Sequence, residues 1–174
     1  MLLSWLPLWL YTKWLIMYKR LLAILTAVFL FLVPIQASMA AMDYAKQVLI
    51  ESDFSNRDLT GVTFNLANLL KANLSGSDLQ GASLFGAKLQ EADLSNTNLR
   101  DATLDSAILE GTDLSNAVLE DAFAFNARFK DVKITGADFT NVPMRDDVLE
   151  SLCLVADGTN PITGRMTRDS LGCS

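Results

Sequence analysis

ANLSG-SDLQG-ASLFG-AKLQE-ADLSN, residues 72–96, reads as five words of five letters, each with Leu at its centre and Ala or Ser two places earlier. The phase holds outward in both directions without slippage. Its centres are Phe54, Leu59, Phe64, Leu69, Leu74, Leu79, Leu84, Leu89, Leu94, Leu99, Leu104, Leu109, Leu114, Leu119, Ala124, Phe129, Ile134 and Phe139. Sixteen of these 18 centres are Leu or Phe, and 11 of the 18 residues two places before them are Ala. A period of five fits neither the helix's 3.6 nor the strand's 2.0, so the backbone must bend once per word. The bend has its own signature. Two residues after each centre, 14 of 18 positions are Gly, Asn or Asp, the residues that tolerate the positive φ of a type II turn.

These registers are those of the pentapeptide repeat family, which the chain resembles over about 90 residues. The resemblance implies an all-β solenoid, a right-handed quadrilateral β-helix in which four pentapeptides make one square coil. Residues 52–142 then make about 4.5 coils, a rod some 20 Å long, with short N- and C-terminal capping helices. Residue n sits above residue n+20 at about 4.8 Å. Phe54, Leu74, Leu94, Leu114 and Ile134 form one inner column; Phe64, Leu84, Leu104 and Ala124 form another. Each buried Leu or Phe stabilises the stack by roughly 1.5–3 kcal/mol, and the interior is filled, leaving no ligand cavity within it.

Ala124 is the one centre too small for its place, and Phe123 and Phe125 flank it. Either one Phe turns inward through a bulge or both point outward; the outward arrangement is the expectation. Phe125 then shares a column with Asn65, Phe85 and Asp105, and Phe85, Phe123 and Phe125 are the candidate interaction patch. A terminal helix lying over this patch is the favoured expectation, and a partner site the alternative.

Residues 1–40 hold Lys13, Lys19 and Arg20 and no acid. From Met17 the chain has a short basic start, an apolar run from Leu21 to Val33, and Ser38-Met39-Ala40, the pattern of a secretory signal peptide. Residues 1–16 read either as an upstream start wrongly assigned or as an extension retaining a membrane anchor; the first is favoured, since Met17 alone opens a complete signal. No twin-Arg pair precedes the apolar run, which points to general secretion. From Ala41 onward 11 basic and 20 acidic residues leave a charge of −9, against −6 for the whole chain. That disfavours nucleic acid as a partner.

A solenoid needs its open ends covered. Residues 41–51, with Met42, Tyr44, Ala45, Val48 and Leu49 at helical spacing, are expected to form the N-terminal capping helix. The C-terminal cap spans 143–174: after Pro143, Met144 to Leu152 form an amphipathic helix with acids in its first turn, followed by a loop over 157–164 and a helical turn near Thr167. Its motif C-x-x-A-x-G-x-N-P-x-T-G, Cys153 to Gly164, followed by Thr167 to Cys173, resembles the thylakoid lumenal pentapeptide repeat proteins of cyanobacteria and plastids. The resemblance implies a Cys153–Cys173 disulfide, a lumenal address and no established activity. These are the only two cysteines, and an exported chain with an even count usually pairs them. The pair is a structural staple in the plainer reading and a redox switch in the other.

With no His there is no Ser-His-Asp or Cys-His arrangement and no histidine metal site. There is no phosphate-binding or dinucleotide-binding glycine motif; the glycines fall at coil corners. No catalytic residue, cofactor or metal is expected. The electrostatic oddity is stacked acids, Asp93 beside Asp113 and Asp58 beside Asp78, which a cation or a raised pKa could relieve; solvated acids are the plainer reading and calcium the alternative. The expectation is therefore a non-enzymatic exported scaffold, monomeric and not membrane-inserted after signal cleavage, whose partner is a protein of the thylakoid lumen or, alternatively, the periplasm. A regulator switched by Cys153 and Cys173 is the second possibility. A DNA-mimicking gyrase inhibitor is the third, and export speaks against it.

Overall fold

A computed structural model describes residues 42–173; the signal peptide expected over residues 1–40 lies outside them. Sixteen parallel β-bridges join residues 20 apart, from Asp43↔Thr63 to Val118↔Asp138, one bridge on each side of each coil. The stack is thus four-sided. Each level is tied to the next by a fixed set of backbone bonds. The Leu74 nitrogen donates to the Asp93 oxygen at 2.8 Å, the Asn73 nitrogen back to Ser52 at 2.9 Å, and the corner Gly76 nitrogen to Ser95 at 2.9 Å. The corner itself closes with the Ser77 nitrogen on the Leu74 oxygen at 3.2 Å.

All 18 expected centres are buried, as are the 11 alanines two places before them. Small residues there let the corner pack against its neighbours, where a larger side chain has no room. Nineteen of the 20 corners from Lys46 to Asn141 have positive φ, 13 of them at residues other than glycine. The left-handed conformation costs such residues roughly 1–2 kcal/mol each, which the inter-coil hydrogen bonds and the buried centres outweigh.

The expected N-terminal helix over 41–51 is not there. Met42 to Glu51 continue the solenoid, with Asp43 and Val48 bridged to Thr63 and Asn68. Tyr44 and Leu49 are in phase with Phe54, so the same residues fit both a helical and a five-residue spacing, and stacking on the second coil decides between them. The described coils therefore number five. In the first described coil Tyr44 stacks on Phe64 with centroids 5.1 Å apart and meets Phe54 edge-on at 5.4 Å.

The corner at Asn126 is the exception to the turn rule, lacking the positive φ of the other 19. Nearby, the corner after Phe129 lacks the usual closing bond, and the Ser106 nitrogen makes no bond to the coil above.

Beyond Asn141 two helices follow, α1 (Asp146–Cys153) and α2 (Thr167–Leu171). Val148, Leu152, Ala156 and Leu171 join the hydrophobic core of the coils. Asp146 and Asp147 occupy the first turn of α1, where the helix dipole favours negative charge.

Candidate interaction surfaces

Two features stand out on this scaffold: one aromatic side of the coil stack, and the C-terminal cap with its disulfide. The corner chemistry explains why they differ from the rest of the surface. The first residue after each centre points its nitrogen outward, away from the neighbouring coil. On two of the four sides an Asp or Asn just before the centre usually accepts that bond, as Asp53 does from Ser55 (2.9 Å), Asp93 from Ser95 (2.9 Å) and Asp113 from Ser115 (3.0 Å). The acids of the stack are thus corner caps, a role the sequence displays as a recurrent Asp or Asn without revealing its purpose.

This role also accounts for the stacked acids. Asp58↔Asp78 and Asp93↔Asp113 are neighbours in adjacent coils. Hydrogen bonds from Thr60 hold Asp58 below the ordinary value. Burial pushes Asp113 up, but hydrogen bonds from Ser115 and the Lys133 ammonium at 3.1 Å outweigh it. Asn98 Nδ2 donates to Asp78 Oδ1 at 2.9 Å. No cluster of three or more acids or cysteines is arranged to hold a metal ion among the described residues.

The side carrying Phe64, Leu84, Leu104 and Ala124 at its centres is built differently. Thr63, Ser83, Thr103 and Phe123 stand where the capping acids stand elsewhere. The outward nitrogen of Phe85 is satisfied from the coil before by Asn65 Oδ1 at 3.2 Å, which also accepts from Ser83 Oγ at 2.6 Å. Phe85, Phe123 and Phe125 point outward, 44%, 58% and 52% exposed, with Leu66 half-exposed beside them. Neither helix covers them.

The cap is tied to the last coils by polar contacts. Asn160, 1% exposed, donates through Nδ2 to the carbonyls of Gly136 (2.8 Å), Asn116 and Ala117 (both 3.2 Å), while its Oδ1 accepts from Ile162 and Thr163. Arg165 bridges Glu120 at 2.7 Å and the fully buried Asp138 at 3.1 Å, and Arg100 meets Glu120 from the other side at 3.2 Å. Burial raises the Asp138 carboxyl, but hydrogen bonds from Thr140 and Thr163 and the Arg165 guanidinium take it below the ordinary range; Arg165 and Arg100 lower Glu120 in the same way.

Cys153 and Cys173 form a disulfide joining the end of α1 to the segment after α2. Both are half-buried, and Arg168 Nη1 donates to the Cys153 carbonyl at 2.9 Å. A cleft opens between cap and last coil, lined by Phe139, Met144, Leu149, Arg165, Met166 and Leu171. It was not apparent in the sequence, because its walls come from segments about 25 residues apart. Among the described residues no helix is long and apolar enough to cross a membrane.

Comparison with known proteins places these features in a lineage. The profile of the family described as "Pentapeptide repeats (8 copies)" matches residues 48–84 and 82–121. The crystal structure of a pentapeptide repeat protein from the Arabidopsis thaliana thylakoid lumen is 44% identical, with a TM-score of 0.61, over 77% of this chain and 86% of that one. The thylakoid lumenal 15 kDa protein 1 of Arabidopsis thaliana chloroplasts is 59% identical over 49 residues, 28% of this chain and 22% of that relative's length.

Proposed function

Since this chain belongs to the pentapeptide repeat family, we propose that it performs no chemistry of its own and serves as a protein-interaction scaffold in the thylakoid lumen. The observation that carries this reading is the uncovered aromatic side, Phe85, Phe123 and Phe125, on a stack whose interior is filled with side chains. Aromatic groups gathered on a charge-poor surface are the composition of interface centres. The two lumenal relatives support the compartment, and the apolar run from Leu21 to Val33 supports export. The periplasm is the alternative address. The test is quantitative affinity capture from lumenal extract with the native chain and with the double variant Phe85→Ser, Phe125→Ser. Loss of specific partners from the variant is expected; identical capture would overturn the reading.

A second role, regulation by thiol–disulfide exchange, is favoured by one observation. The disulfide is half-exposed and links the two helices bordering the cleft. Capture run in parallel with oxidised and reduced protein tests it. A partner enriched in one state supports a switch, and equal capture leaves a structural staple.

A further inference from the structure

The pentapeptides 62–66, 82–86, 102–106 and 122–126 lie one above another on the aromatic side, and Asp105 is the single charged residue among them. Each of the other three sides carries several charges over the same coils, many of them paired, such as Lys71 with Glu91, Arg100 with Glu120 and Lys133 with Asp113. Asp105 takes part in none of the ion pairs among the described residues. Its carboxylate is nevertheless fixed in place. Oδ1 accepts from the Asn126 nitrogen at 3.0 Å and from Asn126 Nδ2 at 3.2 Å, and Oδ2 accepts from Ser106 Oγ at 3.4 Å. In the column of outward residues it stands between Phe85 one coil before and Phe125 one coil after, so the two aromatic positions are about 10 Å apart.

This arrangement selects among occupants. A wholly apolar partner would bury Asp105 without a counter-charge, which costs more than the neighbouring rings return. An acidic partner meets the same carboxylate and a domain of charge −9. A second copy docked through the same side would bring one Asp105 toward another. We propose that this side binds a protein segment presenting an Arg or Lys between two apolar side chains, the cation set against Asp105 and the apolar groups against Phe85 and Phe125. The assignment rests on the reading of this side as an interaction surface and adds the chemistry of what it receives.

Alternate residues of an extended peptide share one face at spacings of about 7 Å, so the two Leu of capped Leu-Ser-Arg-Ser-Leu lie about 14 Å apart, and their side chains lean inward to meet rings about 10 Å apart; this peptide and its Gln and Glu counterparts are the probes. Backbone amide chemical shifts of the isotopically labelled protein report where each binds. The expected result is saturable shifts at Phe85, Asp105 and Phe125 with the Arg peptide, binding about two- to fivefold weaker with Gln, and the weakest binding with Glu. Asp105→Asn retains the acceptor for Asn126 and should abolish the preference for Arg over Gln while leaving the remaining spectrum unchanged. Equal binding of the Arg and Gln peptides, or shifts confined to other sides, would overturn the proposal. So would shifts at these residues on concentrating the protein alone, which would assign the side to a second copy. The scaffold reading fails separately, if partner capture is indifferent to Phe85→Ser and Phe125→Ser.

Discussion

Gly158 stands where the cap backbone passes close against the last coil. Its φ is +82°, and a Cβ added there would lie 2.9 Å from the Gly136 nitrogen and 3.1 Å from Thr135 Cγ2. Gly61 has a similar φ of +67° but open space around it. Gly61→Ala should therefore lose only the conformational term, about 1 kcal/mol, whereas Gly158→Ala should lose about 1–3 kcal/mol because backbone must move. Thermal or denaturant unfolding of the two variants side by side measures the difference. Asn160 is the other residue on which the cap depends. Asn160→Ala leaves the Asn116 and Gly136 carbonyls and two loop nitrogens without their partner, while Ala117 keeps its bond from the Asp138 nitrogen, and a loss of about 2–3 kcal/mol with faster proteolysis after residue 142 is expected. The sequence marks Asn160 as a fixed letter of the cap motif but does not show what it binds. Its acceptors lie 24 to 44 positions away, and only the coil geometry brings them together.

Among elements, the coils and the C-terminal helices were legible and the N-terminal end was not. A five-residue period requires one bend per word, and with the resemblance to the pentapeptide repeat family it placed Leu74 and Leu94 inside. Met42 to Glu51 could not be placed this way, because ten residues with apolar groups at 42, 44, 45, 48 and 49 satisfy two periods at once, and the contact of Tyr44 with Phe64 is a tertiary fact. The outward turn of Phe123 and Phe125 depended likewise on how the backbone closes around Ala124. In the cap, the depressed carboxyl pKa values of Asp138 and Glu120 give a signed prediction. A carboxylate lowered on folding adds stability that is complete above its unfolded value near 4 and is lost as pH falls through the folded value. The cap should therefore stay docked at mildly acidic pH and loosen only below about pH 4. Arg165→Gln should lower the melting temperature near neutrality, with the gap to the native chain closing at low pH. Reduction of Cys153–Cys173 opens a loop of about 20 residues and should cost on the order of 3 kcal/mol. Because Asn160, Arg165 and the buried Leu152 and Leu171 remain, reduced protein should keep its far-ultraviolet spectrum and melt earlier.

At the level of the whole solenoid, each coil touches only its neighbours, so stability is a sum over adjacent pairs. Amide hydrogen exchange should accordingly be slowest in the middle coils, around Leu79 to Leu109, and faster in the first coil. A Leu94→Ala change in that middle region should lower stability by about 2–5 kcal/mol, since the column above and below it cannot collapse far.

The 20-residue bridge spacing also makes the stack a rotary register. Inserting or deleting one pentapeptide changes its height by only about 1 Å but turns everything beyond it through a quarter circle. A deletion between Ser106 and Val118 would carry Phe123 and Phe125 off the side occupied by Phe85 and Asp105 while preserving every core position. Changes of a full 20 residues, or 60 nucleotides of coding sequence, would lengthen the stack and keep cap and aromatic side in the same azimuth. Divergence among such chains is thus constrained less by which pentapeptide is gained or lost than by whether the total remains a multiple of four.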